Sequence, residues 1–489
     1  MSHPAVVSVQ SRECSPELLE RLSGSTLFPE RPAGAAIVSV VRRGGGSLFY
    51  VAAPAMVDAD EQVEYFLGLL PEEHEGQLKA LRDRVEVGSL DDRSSRWLST
   101  KLLDGTNPAA GELRERIHAF VARERAAGAD VRLDCFEPSA NLEELAASLG
   151  MPANQADASV IPLGTKASGR RIFLDAGVPV VAGTDEFHSV DELAGGITDL
   201  VEAGHRKLVL KLSSTEFGAG MGNALLDLGA TDLPADREGV RAAVAAALPT
   251  ADLVDPKLTW AQYAAMITTS GVVAERWVEG DEVRSPSFQG RIAEDGTVTA
   301  VSVHDQVLGG AGLTYVGSCF PADAAYRSEA LRHGLAVGAR LVANGVRRGD
   351  YGVDFLAVRE GSRWQVLGCE LNLRATGTKH GFTMATALLD TVPDPDGDLV
   401  VGGSPRVYEA SDGIADPSLV GVRPSALIDA VRSSPLHYDP VTRTGVVLHL
   451  LSALPTYGKF GAICIGRDRG ECERMMRGLR ELALALGNR

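Results

Sequence analysis

The stretch Cys369-Glu370-Leu371-Asn372-Leu373-Arg374-Ala375-Thr376-Gly377-Thr378-Lys379-His380 alternates apolar and polar residues, then breaks into glycine, hydroxyls and charge. Alternation at period two marks a strand with two unlike faces. Glu370, Asn372 and Arg374 share one face, opposite Leu371 and Leu373. A solvated sheet face would give this pattern, and so would an oxygen-rich site for a hard metal ion. The upstream sequence bears on the choice. YGVDFLAV (351–358) is a second apolar run carrying one acid, Asp354, and Arg359-Glu360-Gly361-Ser362 reads as the turn of a hairpin. A turn centred near Gly361 or Ser362 sets Asp354 roughly opposite Glu370. Opposed residues of an antiparallel pair lie about 4.5–5.5 Å apart and face the same side. Two carboxylates and an amide carbonyl then converge, which meets the needs of Mg²⁺, with Mn²⁺ as the alternative. Cys369 points away from Glu370 in a regular strand and reads as core.

A metal of this kind usually serves phosphates. LVLKLSSTEFGAGMGN (208–223) is a strand bearing Lys211, followed by Ser213 and a loop with Gly218, Gly220 and Gly222. Glycines let backbone N–H groups approach phosphate oxygens. No Lys-Ser/Thr follows them, so this is not a Walker A loop, and GxGxG is not the Rossmann spacing. In VVAERWVEGDEV (272–283) an apolar strand breaks at Glu275, and Glu282 follows Gly280. Such a segment can offer backbone groups and Glu275 to an adenine edge, and Glu282 to ribose hydroxyls.

The chain has 489 residues, enough for about three domains. A net charge of −17 without a basic block argues against nucleic acid as a partner. The six cysteines form no CxxC pair, so reduced thiols in a cytoplasm are expected. MSHPAVVSVQ lacks a basic segment ahead of an apolar core, so no signal peptide is expected. No apolar run approaches about 18 residues, so no membrane span is expected either. Apolar runs AAIVSVV (35–41), SLFYVAAP (47–54) and VRLDCF (131–136) read as strands. The helical patterns at 111–128 and 141–150 end at Gly128 and Gly150. That alternation predicts a three-layer α/β domain with a mainly parallel sheet. After residue 285 strands dominate, with a hairpin about Asp295-Gly296.

Taken in order, Lys166 before a helix, Lys211 before a glycine loop, ERWVEGDE, and Asp354 with Glu370 and Asn372 resemble the ATP-grasp carboxylate–amine ligases. HDQVLGGAGLTYVGSCFPA (304–322), ELNLRATGTKH and GVVLHLLSALPTYGKFGAICIG (445–466) resemble, more narrowly, the pheganomycin-type peptide ligases. The resemblance implies an α/β and α+β chain. A pre-grasp α/β domain (1–160) precedes a small grasp subdomain (161–285), a central subdomain with the metal site (286–400) and a C-terminal region (401–489). It implies that Lys166 and Lys211 bind ATP phosphates, that Glu275 and the Val278 backbone meet adenine, that Glu282 holds ribose, and that Asp354, Glu370 and Asn372 hold Mg²⁺. The reaction it implies is activation of a carboxylate as an acyl phosphate, then attack by an amine. The acyl phosphate must be kept from water, and residues 213–222 are the candidate lid. Arg374, then Arg284, are candidates for stabilising the oxyanion. His304, Gln306, Lys379 and His380 are candidate contacts to amino-acid or peptide substrates of natural-product biosynthesis. A homodimer is a family-level expectation. The rival readings are a carboxylating or thioester-forming relative and a catalytically silent nucleotide-binding protein. Three retained metal ligands argue against silence.

Overall fold

The computed structural model describes residues 3–21, 30–42, 46–71, 78–216, 220–309 and 314–488. The N-terminal unit is a four-stranded parallel sheet of β1 (Pro4–Val9), β2 (Ser47–Ala52), β3 (Val85–Ser89) and β4 (Asp130–Asp134), in the order β3-β2-β1-β4. One face packs on helices Leu98–Leu103, Pro108–Ala126 and Ala140–Ser148. The other face packs on helix Ala33–Arg42, which in turn lies against helix Lys379–Leu389. Both faces are covered, as a parallel sheet requires.

Helix Ala33–Arg42 corrects the sequence reading, which makes AAIVSVV a strand. Seven of its ten residues are buried, because it sits between the sheet and a second helix. A short run that is apolar all round shows no period, so β-branched composition misleads until packing is known.

The second unit is antiparallel: β5 (Lys207–Leu212), β6 (Asn223–Asp227), β7 (Asp252–Leu253) and β8 (Val272–Arg276), in the order β7-β6-β5-β8. Beyond it runs a ten-stranded sheet. Its strands are β9 (Glu282–Arg284), β10 (Pro286–Ile292), β11 (Val298–Gly309), β12 (Thr314–Phe320), β13 (Gly349–Glu360), β14 (Arg363–Asn372), β15 (Leu399–Val401), β16 (Ser404–Ala415), β17 (Gly445–His449) and β18 (Lys459–Gly466). The main path is β14-β13-β10-β11-β12-β16-β18-β17. Pairing of β12 with β16 carries this sheet past residue 400 without a break.

Two irregularities in this sheet matter. The β13/β14 hairpin closes on Gly361, which takes φ +60, and pairs Glu360 with Arg363. Continued without interruption, that register would set Cys369 against Asp354. One extra residue on β14 shifts it, so Asp354 faces Glu370 and Gly352 faces Asn372. A second bulge lies on β16 between Ser411 and Ile414.

Candidate active site

A cavity of about 1530 Å³ is lined by β5, β8, the β13/β14 hairpin, the N-terminal unit and the C-terminal strands. Asp354, Glu370 and Asn372 meet on its wall. Asp354 Oδ1 accepts from Ser287 Oγ and from Gln306 Nε2, both at 2.6 Å, and its Oδ2 accepts from Asn372 Nδ2 at 3.2 Å. Burial, then the neighbouring Glu370 charge, push the Asp354 carboxyl up to about 6. Burial acts the same way on Glu370, but Lys166, 2.7 Å away, outweighs it and holds that carboxyl below its ordinary value. Two half-buried carboxylates paired across adjacent strands fit a hard divalent cation.

Lys211 reaches the same wall from β5. Its Nζ lies 2.6 Å from Glu275 Oε2 and 3.5 Å from Cys369 Sγ. Burial opposes its charge, yet the Cys369 sulfur and the Glu275 and Glu370 carboxylates hold its pKa above the ordinary lysine value. Lys166 opens helix Lys166–Asp175, which Thr165 caps. Beside these charges, Val181, Val278, Val358, Leu367 and Leu356 form a small apolar cluster, and Val181, Val278 and Leu356 open onto the cavity. A flat apolar slot beside paired cations and carboxylates has the form of a nucleotide site.

The fold and this site together define the ATP-grasp class. The chain aligns over 99% of its length with biotin carboxylase from Campylobacter jejuni, covering 95% of that chain at TM-score 0.54 and 12% identity. It aligns over 98% with the biotin carboxylase domain of the Hydrogenobacter thermophilus 2-oxoglutarate carboxylase, a structure holding MgADP, ADP and bicarbonate, covering 89% of that chain at TM-score 0.53 and 12% identity. These likenesses concern the fold. The PGM1 C-terminal domain family model matches residues 426–479. The L-propargylglycine–L-glutamate ligase of Streptantibioticus cattleyicolor is 32% identical over 393 residues, which is 78% of this chain and 75% of that protein. The chain belongs to this family of ATP-grasp ligases of the pheganomycin type and is an ATP-dependent carboxylate–amine ligase.

The remaining sequence candidates divide. Gly220 and Val278 line the cavity. Gly218 lies outside the described residues. Ser213 is fully buried, and its carbonyl and Oγ accept from Lys166 N and Ala167 N, so it anchors the helix rather than facing the cavity. The carbonyl of Gly222 is taken by Leu212 N and Tyr263 Oη. Glu282 sits outside the lining, tied to Arg284 at 2.6 Å and Arg359 at 3.2 Å, while Arg284 reaches the lining with a largely exposed side chain. Arg374 lines the cavity with its guanidinium 5.4 Å over Phe136 and its Nε 3.8 Å from Glu137.

His304 corrects the substrate reading. It is fully buried among Phe320, Phe382 and Tyr408, with Nε2 2.5 Å from Tyr408 Oη. The strand end in the sequence gave no sign of this aromatic packing. Gln306 does line the cavity, but its amide holds Asp354. Lys379 ties β13 to the N-terminal sheet, 2.8 Å from Asp350 and 3.6 Å from Asp134. His380 lines the cavity beside Asp412 and His449. Cys369 is not core: as the extra residue of the β14 bulge, it shares the cavity face with Glu370.

Sequence reasoning missed Ser287, Arg31, Asp412, His449 and Lys459. A signal existed for two of them. His449 and Lys459 are isolated polar residues in the apolar run GVVLHLLSALPTYGKFGAICIG.

Proposed function

We propose that the chain joins the carboxylate of one amino acid or short peptide to the amine of another, in the biosynthesis of a small peptide natural product. The observation that carries this reading is the buried face of Asp354, Glu370 and Asn372, with Lys166 and Lys211 beside it in one cavity. Asp354, Glu370 and Asn372 would hold Mg²⁺, which supplies charge neutralisation on the ATP phosphates. Lys166 and Lys211 add positive charge on the same wall, and Val181, Val278 and Leu356 receive the adenine; Glu282, held by Arg284 and Arg359 outside the lining, reaches the ribose only when those pairs open. The substrate carboxylate attacks the γ-phosphorus, ADP leaves, and the amine then attacks the acyl carbon and expels phosphate. Protein groups contribute alignment and charge rather than covalent chemistry. Arg374, which lines the same cavity, would stabilise the oxyanion.

The test is ADP release from amino acids supplied singly and in pairs, with the mass of the product determined. Release that requires both a carboxylate and an amine, with an amide product, is the expected result. Release with bicarbonate alone would show a carboxylating enzyme instead.

A further inference from the structure

The C-terminal end of the cavity carries a second constellation, away from the metal face. Arg31 Nη1 lies 2.6 Å from Asp412 Oδ2, and both side chains are largely buried. The β16 bulge presents Asp412 to the cavity. Lys459, at the start of β18, lines the same end and has no salt-bridge partner among the described residues. His380 Nε2 and His449 Nε2 lie 3.6 and 3.8 Å from Asp412 Oδ1, beyond hydrogen-bond length, and 3.4 Å from each other. The ring of His449 occupies the place of a missing side chain, since a Cβ on Gly461 would lie 2.0 Å from it.

Charge decides what this end accepts. Burial lowers both imidazole pKa values, His380 strongly and His449 to about 4, so both rings are neutral near pH 7. Two cations, Arg31 and Lys459, then face one carboxylate, Asp412, although burial and the neighbouring Arg31 draw the Lys459 ammonium below its usual value. The surplus is one positive charge in a largely buried wall, which favours a monoanion. His380, Asp412 and His449 stand close enough together for a metal site, their ligand atoms all within 4.8 Å of one another. A metal ion there would add to the positive surplus, and Arg31 already occupies one oxygen of the only carboxylate. A carboxylate ligand removes the surplus and suits the part of the guanidinium that has no partner among the described residues, because Asp412 takes only Nη1 of Arg31.

We propose that Arg31 and Lys459 form a clamp for a free carboxylate of an amino-acid substrate, one that is recognised rather than activated. The clamp rests on the amide-ligase reading above. Tyr315 lines the cavity close enough to feel the charges of Asp412 and Arg31 as well as that of Asp354, so the two clusters share one cavity. A substrate held by its carboxylate at the clamp therefore extends its reacting group toward the metal face.

The experiment titrates L-glutamate, L-propargylglycine and their α-carboxamides onto wild type, Arg31→Gln, Lys459→Gln and Arg31→Lys, following binding by calorimetry. ADP release is measured in parallel. For at least one amino acid, wild type is expected to prefer the acid over the amide by about 50-fold or more, since a site built for a charged partner rejects the neutral analogue. Arg31→Gln should bring that ratio to within about threefold, with the KM for ATP unchanged, whereas Arg31→Lys keeps part of the preference because the charge remains. Equal affinity of wild type for acid and amide, or an undiminished preference in a folded Arg31→Gln, overturns the clamp. So does one equivalent of tightly bound zinc that is lost in His449→Ala. Wild type that releases ADP with no amino-acid pair overturns the ligase reading instead, and the binding ratio still judges the clamp.

Discussion

The two ends of the cavity are built from opposite charge. At the β13/β14 hairpin, two carboxylates meet on one face, and burial raises Asp354 to about 6 because Glu370 is beside it. At the β16/β18 end, two cations meet one carboxylate, and Arg31 draws the Asp412 carboxyl below its usual range against the effect of burial. Each end uses a β-bulge to turn side chains into the cavity. The contrast teaches a division of labour. The acidic end suits a cation and the phosphates that accompany it; the basic end suits an organic anion. A single cavity can then hold nucleotide and substrate without either competing for the other's groups.

The sharpest way to break this contrast is Glu370→Gln. It removes one of the two metal-face charges and leaves Lys166 without its partner. The kcat for ADP release is expected to fall about 100-fold or more, with a higher Mg²⁺ requirement. Unchanged kcat would sink the metal-face assignment.

Lys211→Met comes next. It leaves Glu275 buried with only Arg170, 3.7 Å away. Removing one partner of a buried pair costs about 3 kcal/mol or more, so denaturant unfolding should show that loss and the KM for ATP should rise about tenfold.

Outside the cavity lining, one buried carboxyl gives the fold a pH signature of its own. Glu30, beside Arg31 in the chain, is fully buried, and burial raises its carboxyl to about 7 although Ser452 donates to it. Because the folded pKa lies above the unfolded one, the native state binds the proton more tightly. That stabilisation is complete below about pH 4.5 and is lost as pH rises through 7, by up to roughly 3 kcal/mol. In Glu30→Gln the side chain stays neutral, so the loss of stability between pH 5 and 8 should be smaller than in wild type. Identical slopes would mean that Glu30 is ionised in the fold.

The smallest effect is expected for His304→Phe, at a position that lies on the same sheet face as Ser287 and Gln306 but is buried under aromatic side chains. It forfeits the contact with Tyr408 but keeps the aromatic packing. A drop of about 1 kcal/mol in stability, with KM values for all substrates unchanged, would separate it from the cavity residues. A changed substrate KM would restore it as a contact.

Much of the acidic end was legible in the chain. Period-two alternation in CELNL, an acid in YGVDFLAV and a Gly-Ser turn sufficed to bring Asp354, Glu370 and Asn372 to one face, because strand geometry and hairpin register are local. Lys211 followed from a strand pattern for the same reason, whereas the apolar slot of Val181, Val278 and Leu356 did not, because it draws on three separate segments. The basic end was not legible. Arg31, Asp412, His449 and Lys459 come from segments separated by up to several hundred residues, and no local period links them.

By itself, then, the sequence determined the strands, the hairpin that gathers the metal-face residues, the order of motifs that marks an ATP-grasp ligase, and the parallel N-terminal sheet. Only the tertiary structure decided that AAIVSVV is a helix, since it packs between the parallel sheet and a second helix. It alone placed Cys369 on the cavity face, since one extra residue in a strand reverses the side chain's direction without changing composition. And it alone assembled the basic end, since charges far apart in the chain meet only when β16, β18 and helix Lys379–Leu389 pack against the N-terminal unit.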